Sequence, residues 1–133
     1  MSAELAKRAV ACKHWRWMPG IWTVDEVGGR GVVLEVVQQV DQDYVKFQNP
    51  AHTRQGQVPA AWCVPDLTDP ATLGCLLALV RKAWGDPFGC MEAFPQPPDE
   101  TMWVFGVHHG QRLLHYSGET EAEALVVALE AAP

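Results

Sequence analysis

The sequence is short of basic residues and of long apolar runs. Ten Lys and Arg stand against sixteen Asp and Glu in 133 residues, which gives a formal net charge of −6. A phosphate backbone is drawn to a broad positive surface, so this balance disfavours general nucleic-acid binding. The apolar runs fall well short of the roughly 20 residues that span a bilayer, and the N-terminus lacks a basic-then-apolar export signal. We therefore expect a soluble, cytoplasmic protein without a membrane role.

Motifs that mark several enzyme and cofactor classes are also missing. The sequence contains no glycine-rich dinucleotide fingerprint, no Walker motif and no G-x-S-x-G elbow. Its four cysteines, Cys12, Cys63, Cys75 and Cys90, include no C-x-x-C pair. We expect free thiols that are mostly buried, and the apolar helix pattern around Cys75 predicts a raised thiol pKa there. No cofactor is predicted.

The composition is that of an ordinary globular protein. Hydrophobic residues make up 48% of the sequence and charged residues 20%. A chain of this length buries roughly two-thirds of the surface that its unfolded state exposes, so it needs neither disulfides nor metal to form a core. We predict one domain that covers residues 1–133.

Three segments have helical periodicity. The first spans residues 4–13. The second begins at Pro70, with Asp69 as its N-cap, and carries one apolar stripe until Gly85 ends it. The third follows Thr120, which forms a capping box with the glutamate three residues later. We expect a helix at each place.

Alternating and β-branched runs predict antiparallel strands. They cover residues 21–27, 32–40, 44–47, 60–64, 101–107 and 111–116. If Asp41 and Gln42 form a two-residue turn, Val36 lies opposite Phe47 in the first hairpin.

The last hairpin is predicted to turn at His109–Gly110. This register places Trp103 opposite Tyr116 and Phe105 opposite Leu114. The other face of the hairpin then carries Val104 and His115.

Two segments rich in Pro, Gly or polar residues, 49–59 and 86–100, predict exposed loops. The element order is then helix, several strands, helix, hairpin, helix. Hairpin connections imply antiparallel pairing. We predict an α+β fold in which helices pack on an antiparallel sheet of about four to six strands, as a layered sandwich.

The histidines are candidate metal ligands, because His108, His109 and His115 cluster in the sequence. In the predicted hairpin His108 pairs with Gln111, and His115 lies roughly 13 Å further along the strand. Zinc–nitrogen bonds of about 2.0 to 2.1 Å cannot bridge that separation. The segment Cys12-Lys13-His14 adds two more potential ligands. No metal site is predicted.

A nucleophile is the second catalytic candidate, because any of the four cysteines could meet a histidine in the fold. No local motif supports it, and a Cys in an apolar helix has a suppressed thiolate. A Cys/His hydrolase is kept as a weak alternative to a protein that is not an enzyme.

Six tryptophans are the compositional anomaly. Trp84 and Trp103 fall on predicted apolar faces and are expected to fill the core. Trp and Arg also dominate the energetic centres of protein interfaces. Candidate contact residues therefore come from the Trp-rich segment and the proline-rich loop: Trp15, Arg16, Trp17, Phe88, Met91 and Phe94.

A small ligand such as a nucleotide is a second binding alternative, because one pocket can be basic in an acidic protein. The basic residues available for it are Arg16, Arg30, Lys46, Arg54 and Arg112.

Several segments resemble sequences that recur in uncharacterised small proteins of bacteriophage and metagenomic origin. They are residues 8–20, which read R-A-V-A-C-K-H-W-R-W-M-P-G, and residues 65–85. The tail 118–132, with T-E-A-E-A-L-V-V-A-L, resembles the closing helix of the phage ABA-sandwich type of domain. The resemblance covers about a third of the chain and does not extend to residues 21–60. It implies a phage-type accessory protein in the bacterial cytoplasm and assigns no catalytic residue.

The leading expectation is a non-enzymatic phage-type protein that binds a host or phage protein, with counter-defence as one such role. Sequestering a nucleotide is the alternative. The oligomeric state and the partner are left open.

Overall fold

The computed structural model describes residues 3–24, 30–39, 42–49 and 54–133. Within them lie three helices and eight strands, and all strand pairs are antiparallel. The helices are α1 (Ala3–Ala11), α2 (Pro70–Trp84) and α3 (Glu121–Ala131). In the described part of the chain, every helix is too short or too polar to reach across a bilayer. The predicted α+β class with antiparallel pairing is confirmed.

The strands form two sheets. The larger contains β1 (Trp22–Val24), β2 (Arg30–Gln38), β3 (Asp43–Asn49), β4 (Arg54–Pro59) and β5 (Val64–Pro65) in the order β4-β3-β2-β1-β5. The smaller contains β6 (Cys90–Gln96), β7 (Glu100–His109) and β8 (Arg112–Gly118) in the order β6-β7-β8. The five-stranded sheet has the expected size, and the three-stranded sheet is separate from it.

The chain divides into two compact units. The middle unit is Arg16–Cys75 and holds the five-stranded sheet. The terminal unit combines Leu76–Pro133 with the segment that ends at Trp15, and it holds α1, α3 and the three-stranded sheet. The boundary falls within α2. A single domain over residues 1–133 stays a prediction.

In the middle unit, the start of α2 is fixed as the sequence predicts. The Asp69 carboxylate accepts hydrogen bonds from the backbone N–H groups of Ala71 (2.9 Å) and Thr72 (3.2 Å). These donors have no partner inside the helix, so the cap stabilises its first turn. The Thr72 hydroxyl in turn accepts from the N–H of Trp22 at 2.9 Å, which attaches the helix to β1.

The predicted loop at 49–59 is wrong for its second half, which is strand β4; residues 50–53 lie outside the described residues. Gly56 explains the error. It lies opposite Phe47, and a Cβ at Gly56 would come within 2.7 Å of the Phe47 ring. The missing side chain at Gly56 therefore makes room for the Phe47 ring inside the sheet, although the sequence alone suggests a turn at this glycine.

The first hairpin has a different register from the prediction. Val33 lies opposite Phe47 and Val36 opposite Val45, with a register shift between Val33 and Glu35. The shift inserts one residue into β2, which a sequence pattern of period two does not reveal. Asp41 and Val27 lie outside the described residues. The predicted strand at 60–64 is a 3₁₀ turn over Ala60–Trp62, followed by β5.

In the terminal unit, α3 packs closely on the three-stranded sheet. A Cβ at Gly118 would come within 2.7 Å of the Ala124 backbone nitrogen, so the strand and the helix are in direct backbone contact. The helix begins as predicted: the Thr120 hydroxyl accepts from the N–H of Glu123 at 3.1 Å. The Glu123 carboxylate accepts from the N–H of Glu119 at 3.1 Å, which completes the cap.

The predicted loop at 86–100 is also wrong over about half of its length, because Glu100 begins β7 and Cys90–Gln96 forms the edge strand β6. Its proline at position 95 pairs with Thr101, and an edge strand tolerates a residue without an N–H. Proline content therefore indicates an edge here and not a loop.

The last hairpin turns one residue later than predicted, so that Phe105 lies opposite Tyr116 and Trp103 opposite Gly118. Gly110, with φ of +65°, is the first of two turn residues. Moving the turn by one residue shifts the register by two, which leaves every side chain on its predicted face.

Candidate functional site

The three-stranded sheet has one covered and one uncovered face. Phe105 and Val107 point to the covered face and are fully buried. On that face the Trp84 ring lies 5.7 Å from the Tyr116 ring, and its indole N–H donates to the Ala128 carbonyl at 2.8 Å. Alternation along β7 sends the intervening residues to the opposite side.

We call that opposite side the open face. Its residues, taken from the strand register, are Cys90, Glu92, Phe94 and Gln96 of β6, Glu100, Met102, Val104, Gly106 and His108 of β7, and Leu113, His115 and Ser117 of β8. None of them is buried.

Large apolar side chains on the open face are in contact with solvent. Phe94 is 42% exposed and lies directly opposite Met102, which is 38% exposed. Leu113 at the other end is 51% exposed. Phe88, two residues before β6, is 85% exposed. Phe94 and Met102 form an adjacent exposed apolar pair, and Leu113 adds a second apolar position on the same face, so the open face is a candidate binding surface.

Gly106 lies near the centre of the open face, between Cys90 and His115. A Cβ there would lie 3.6 Å from Cδ2 of His115 and 3.9 Å from Cδ1 of Leu113, so these two side chains lean over the glycine. Cys90 lies opposite Gly106 on the other side and is exposed. A glycine inside a strand lets another group approach the backbone closely.

Asp86 fixes one end of the open face. Its buried carboxylate accepts hydrogen bonds from the N–H groups of His108 (2.8 Å) and Phe88 (2.9 Å). These two bonds, with the nearby His108 ring, lower the pKa of Asp86 below its usual value of 3.8. The carboxylate thereby holds the turn after α2 against β7 and places Phe88 beside the sheet.

The predicted contact residues from the proline-rich segment divide between the two faces. Phe94 lies on the open face and Phe88 at its end. Met91 pairs with Phe105, so it points to the covered side and is half-buried.

The Trp-rich segment, residues 15–17, is only partly exposed to solvent. Trp15 is only 6% exposed and belongs to the core of the terminal unit. Arg16 is exposed and Trp17 is half-buried, and both belong to the middle unit. A binding role for this segment stays a prediction, but replacing Trp15 would disturb packing and is not a clean test of binding. Of the two tryptophans expected in the core, Trp84 is buried and Trp103 is half-buried.

Sequence reasoning missed Met102 and Leu113 as contact residues. The alternation that places Val104 and His115 on the second face also places these two there. The pattern was therefore present in the sequence, but nothing in it shows that this face is uncovered.

The cysteines are free and less buried than expected: only Cys63 is buried, and Cys90 is exposed. Burial raises the pKa of the Cys63 and Cys75 thiols. Cys12, Cys63 and Cys75 donate to the backbone carbonyls of Leu129, Pro59 and Pro19. Among the described residues no thiol is hydrogen-bonded to an imidazole.

The histidines lie closer together than the predicted register allowed. His108 pairs with Leu113, which makes His115 its diagonal neighbour, at about 7–8 Å. Over residues 3–24, 30–39, 42–49 and 54–133, no group of three or more His, Cys, Asp or Glu side chains is placed to hold a metal ion.

Two of the basic residues considered for a nucleotide are engaged by carboxylates. The Arg30 guanidinium lies 2.7 Å from Asp66 and 4.9 Å from the centre of the Trp22 ring. Lys46 lies 3.4 Å from Glu35. Burial alone would raise the pKa of Asp66, but hydrogen bonds from Thr68 and the Arg30 charge outweigh it, and the pKa is lowered.

Comparisons of the chain with protein-family models, with curated proteins and with solved structures give no match.

Proposed function

We propose that this chain is a non-enzymatic accessory protein of the phage type, that it acts by binding a host or phage protein, and that the partner docks on the open face. The observation that carries the proposal is the exposure of Phe94, Met102 and Leu113 on one face of one sheet. The phage origin rests on the sequence resemblance alone.

The energetics favour a protein partner for such a face. Complete burial of one large apolar side chain stabilises a complex by about 1.5–3 kcal/mol relative to leaving it in water. A few such anchors, surrounded by polar groups, supply most of the binding energy of a protein interface. On the open face Gln96 and Ser117 are among the polar groups at its margins.

The structure offers a matched pair of variants for a test. Phe94 and Leu113 can be replaced together by serine on the open face. Leu34 of β2 is 41% exposed, against 42% for Phe94, but belongs to the other sheet. Leu34→Ser is therefore the control for the loss of an equally exposed apolar side chain.

The measurement is quantitative capture of proteins from a bacterial lysate by the immobilised full chain. We expect specific partners to be lost by Phe94→Ser/Leu113→Ser and kept by Leu34→Ser, with unchanged circular dichroism for both. Retention of every partner by the open-face variant would show that the open face is not the binding surface.

A further inference from the structure

The open face carries two carboxylates and no Lys or Arg side chain. The carboxylates are those of Glu92 and Glu100, and the remaining titratable side chains of the face are Cys90, His108 and His115. Both carboxylates are exposed, and neither takes part in an ion pair of the described residues. A partner that binds there places its own side chains next to these two carboxylates.

The two carboxylates flank the apolar pair Phe94–Met102. Glu92 is the diagonal neighbour of Met102, and Glu100 is the diagonal neighbour of Phe94, each at about 7–8 Å. An apolar anchor that reaches the Phe94–Met102 pair therefore passes between two negative charges.

The size of the face limits what fits on it. From Met102 to His108 the strand extends six residues, about 20 Å, and three strands span about 10 Å between the outer two. An α-helix with side chains is about 10 Å wide, and about 13 residues of helix are 20 Å long.

We propose that the segment of the partner that docks here is a basic amphipathic helix, with apolar residues on one stripe and Lys or Arg beside them. This inference rests on the proposed function and adds the chemistry of the partner. Complementary charge at the rim of an apolar contact selects the partner and speeds association.

A second copy of this chain is a poorer occupant. Two open faces in contact would cover Glu92 and Glu100 of each copy without a Lys or Arg of either face to pair with them. Each chain also carries a formal net charge of −6. Like charges in an interface oppose association.

The test is selection from a displayed library of peptides about 16 residues long, long enough for the helix that fits the face. The full chain is the bait, and the charge of the library is balanced. Selected peptides are then titrated against the wild type, Glu92→Gln/Glu100→Gln, Phe94→Ser/Leu113→Ser and the control Leu34→Ser.

We expect selected peptides to be enriched in Lys and Arg beside apolar residues at helical spacing. Their affinity should fall roughly 3- to 20-fold in Glu92→Gln/Glu100→Gln, because two exposed charge pairs are lost. The affinity of the wild type for these peptides should also fall when salt is added, because salt screens the same charge pairs.

The remaining outcomes separate the two proposals. Peptides that need Phe94 and Leu113 but show no basic enrichment and no dependence on the two glutamates overturn this inference and leave the proposed function standing. Peptides that bind all variants equally overturn the proposed function itself. A concentration-dependent dimer in sedimentation, abolished by Phe94→Ser/Leu113→Ser, would identify a second copy as the occupant and also overturn the inference.

Discussion

At the scale of single residues, Asp86 connects stability to the placement of the open face. One carboxylate oxygen accepts from the N–H of Phe88 and the other from the N–H of His108. Both bonds favour the ionised form, and this is why the pKa of Asp86 is lowered. Protonation would weaken both at once and release the turn that positions Phe88.

We predict acid sensitivity of the fold from this residue. A carboxyl whose pKa is lower in the folded state contributes stability above its unfolded value, here 3.8, and the contribution is lost as pH falls through the folded value. Urea denaturation measured from pH 6 down to about pH 2 should therefore show a loss of stability below about pH 4 that is smaller in Asp86→Asn. Asp99→Asn, at an exposed turn, is the control. An identical pH profile for Asp86→Asn and the wild type would contradict this account.

At the scale of elements, glycines show how α3 and the sheet fit together. Gly118 lies where the backbone of β8 meets α3, and a Cβ there would come within 2.7 Å of Ala124 N and of Glu123 Cβ. The backbone of α3 cannot move aside for a new methyl group as the end of a flexible side chain could. Gly74 inside α2, by contrast, has no atom within 4 Å of a Cβ position.

The two glycines predict opposite effects of the same substitution. Gly118→Ala should destabilise the fold by about 1–3 kcal/mol, because it forces α3 away from the sheet. Gly74→Ala should stabilise it by about 0.5–1 kcal/mol, because alanine is the better helix former and meets no obstacle. Urea denaturation of both variants checks the pair. Equal stability of Gly118→Ala and the wild type would mean that α3 does not contact β8 this closely.

The helices were predictable from sequence, and some of the strands were not. Asp69 and Thr120 are helix N-caps whose hydrogen-bond partners lie within three residues, so the local sequence is enough to predict them. Gly56 and Pro95 have structural roles that depend on a neighbouring strand. The local sequence around each of them indicates a loop, so the strands were not predicted. Register is likewise a property of two strands, as the inserted residue in β2 shows.

The candidate site was predictable only in part for a related reason. Alternation correctly separated Val104 and His115 from Phe105 and Tyr116. Which face a helix covers depends on packing between distant elements, so exposure of Met102 and Leu113 does not follow from the strand pattern. The burial of Trp15 has the same origin.

At the scale of the whole molecule, an acidic chain presents an apolar sheet face edged by carboxylates. The net charge opposes contact between copies, and the apolar residues favour contact with a complementary surface. We therefore expect the chain to bind a partner without self-association.

Cys90 provides the most direct measurement, because its exposed thiol lies on the open face beside Gly106. The rate of its alkylation by iodoacetamide can be followed by mass spectrometry in the free chain and with a captured partner or selected peptide present. At a ligand concentration ten times Kd only about a tenth of the chain is free, so the Cys90 rate should fall about tenfold. An unchanged Cys90 rate with the ligand demonstrably bound would contradict docking on the open face.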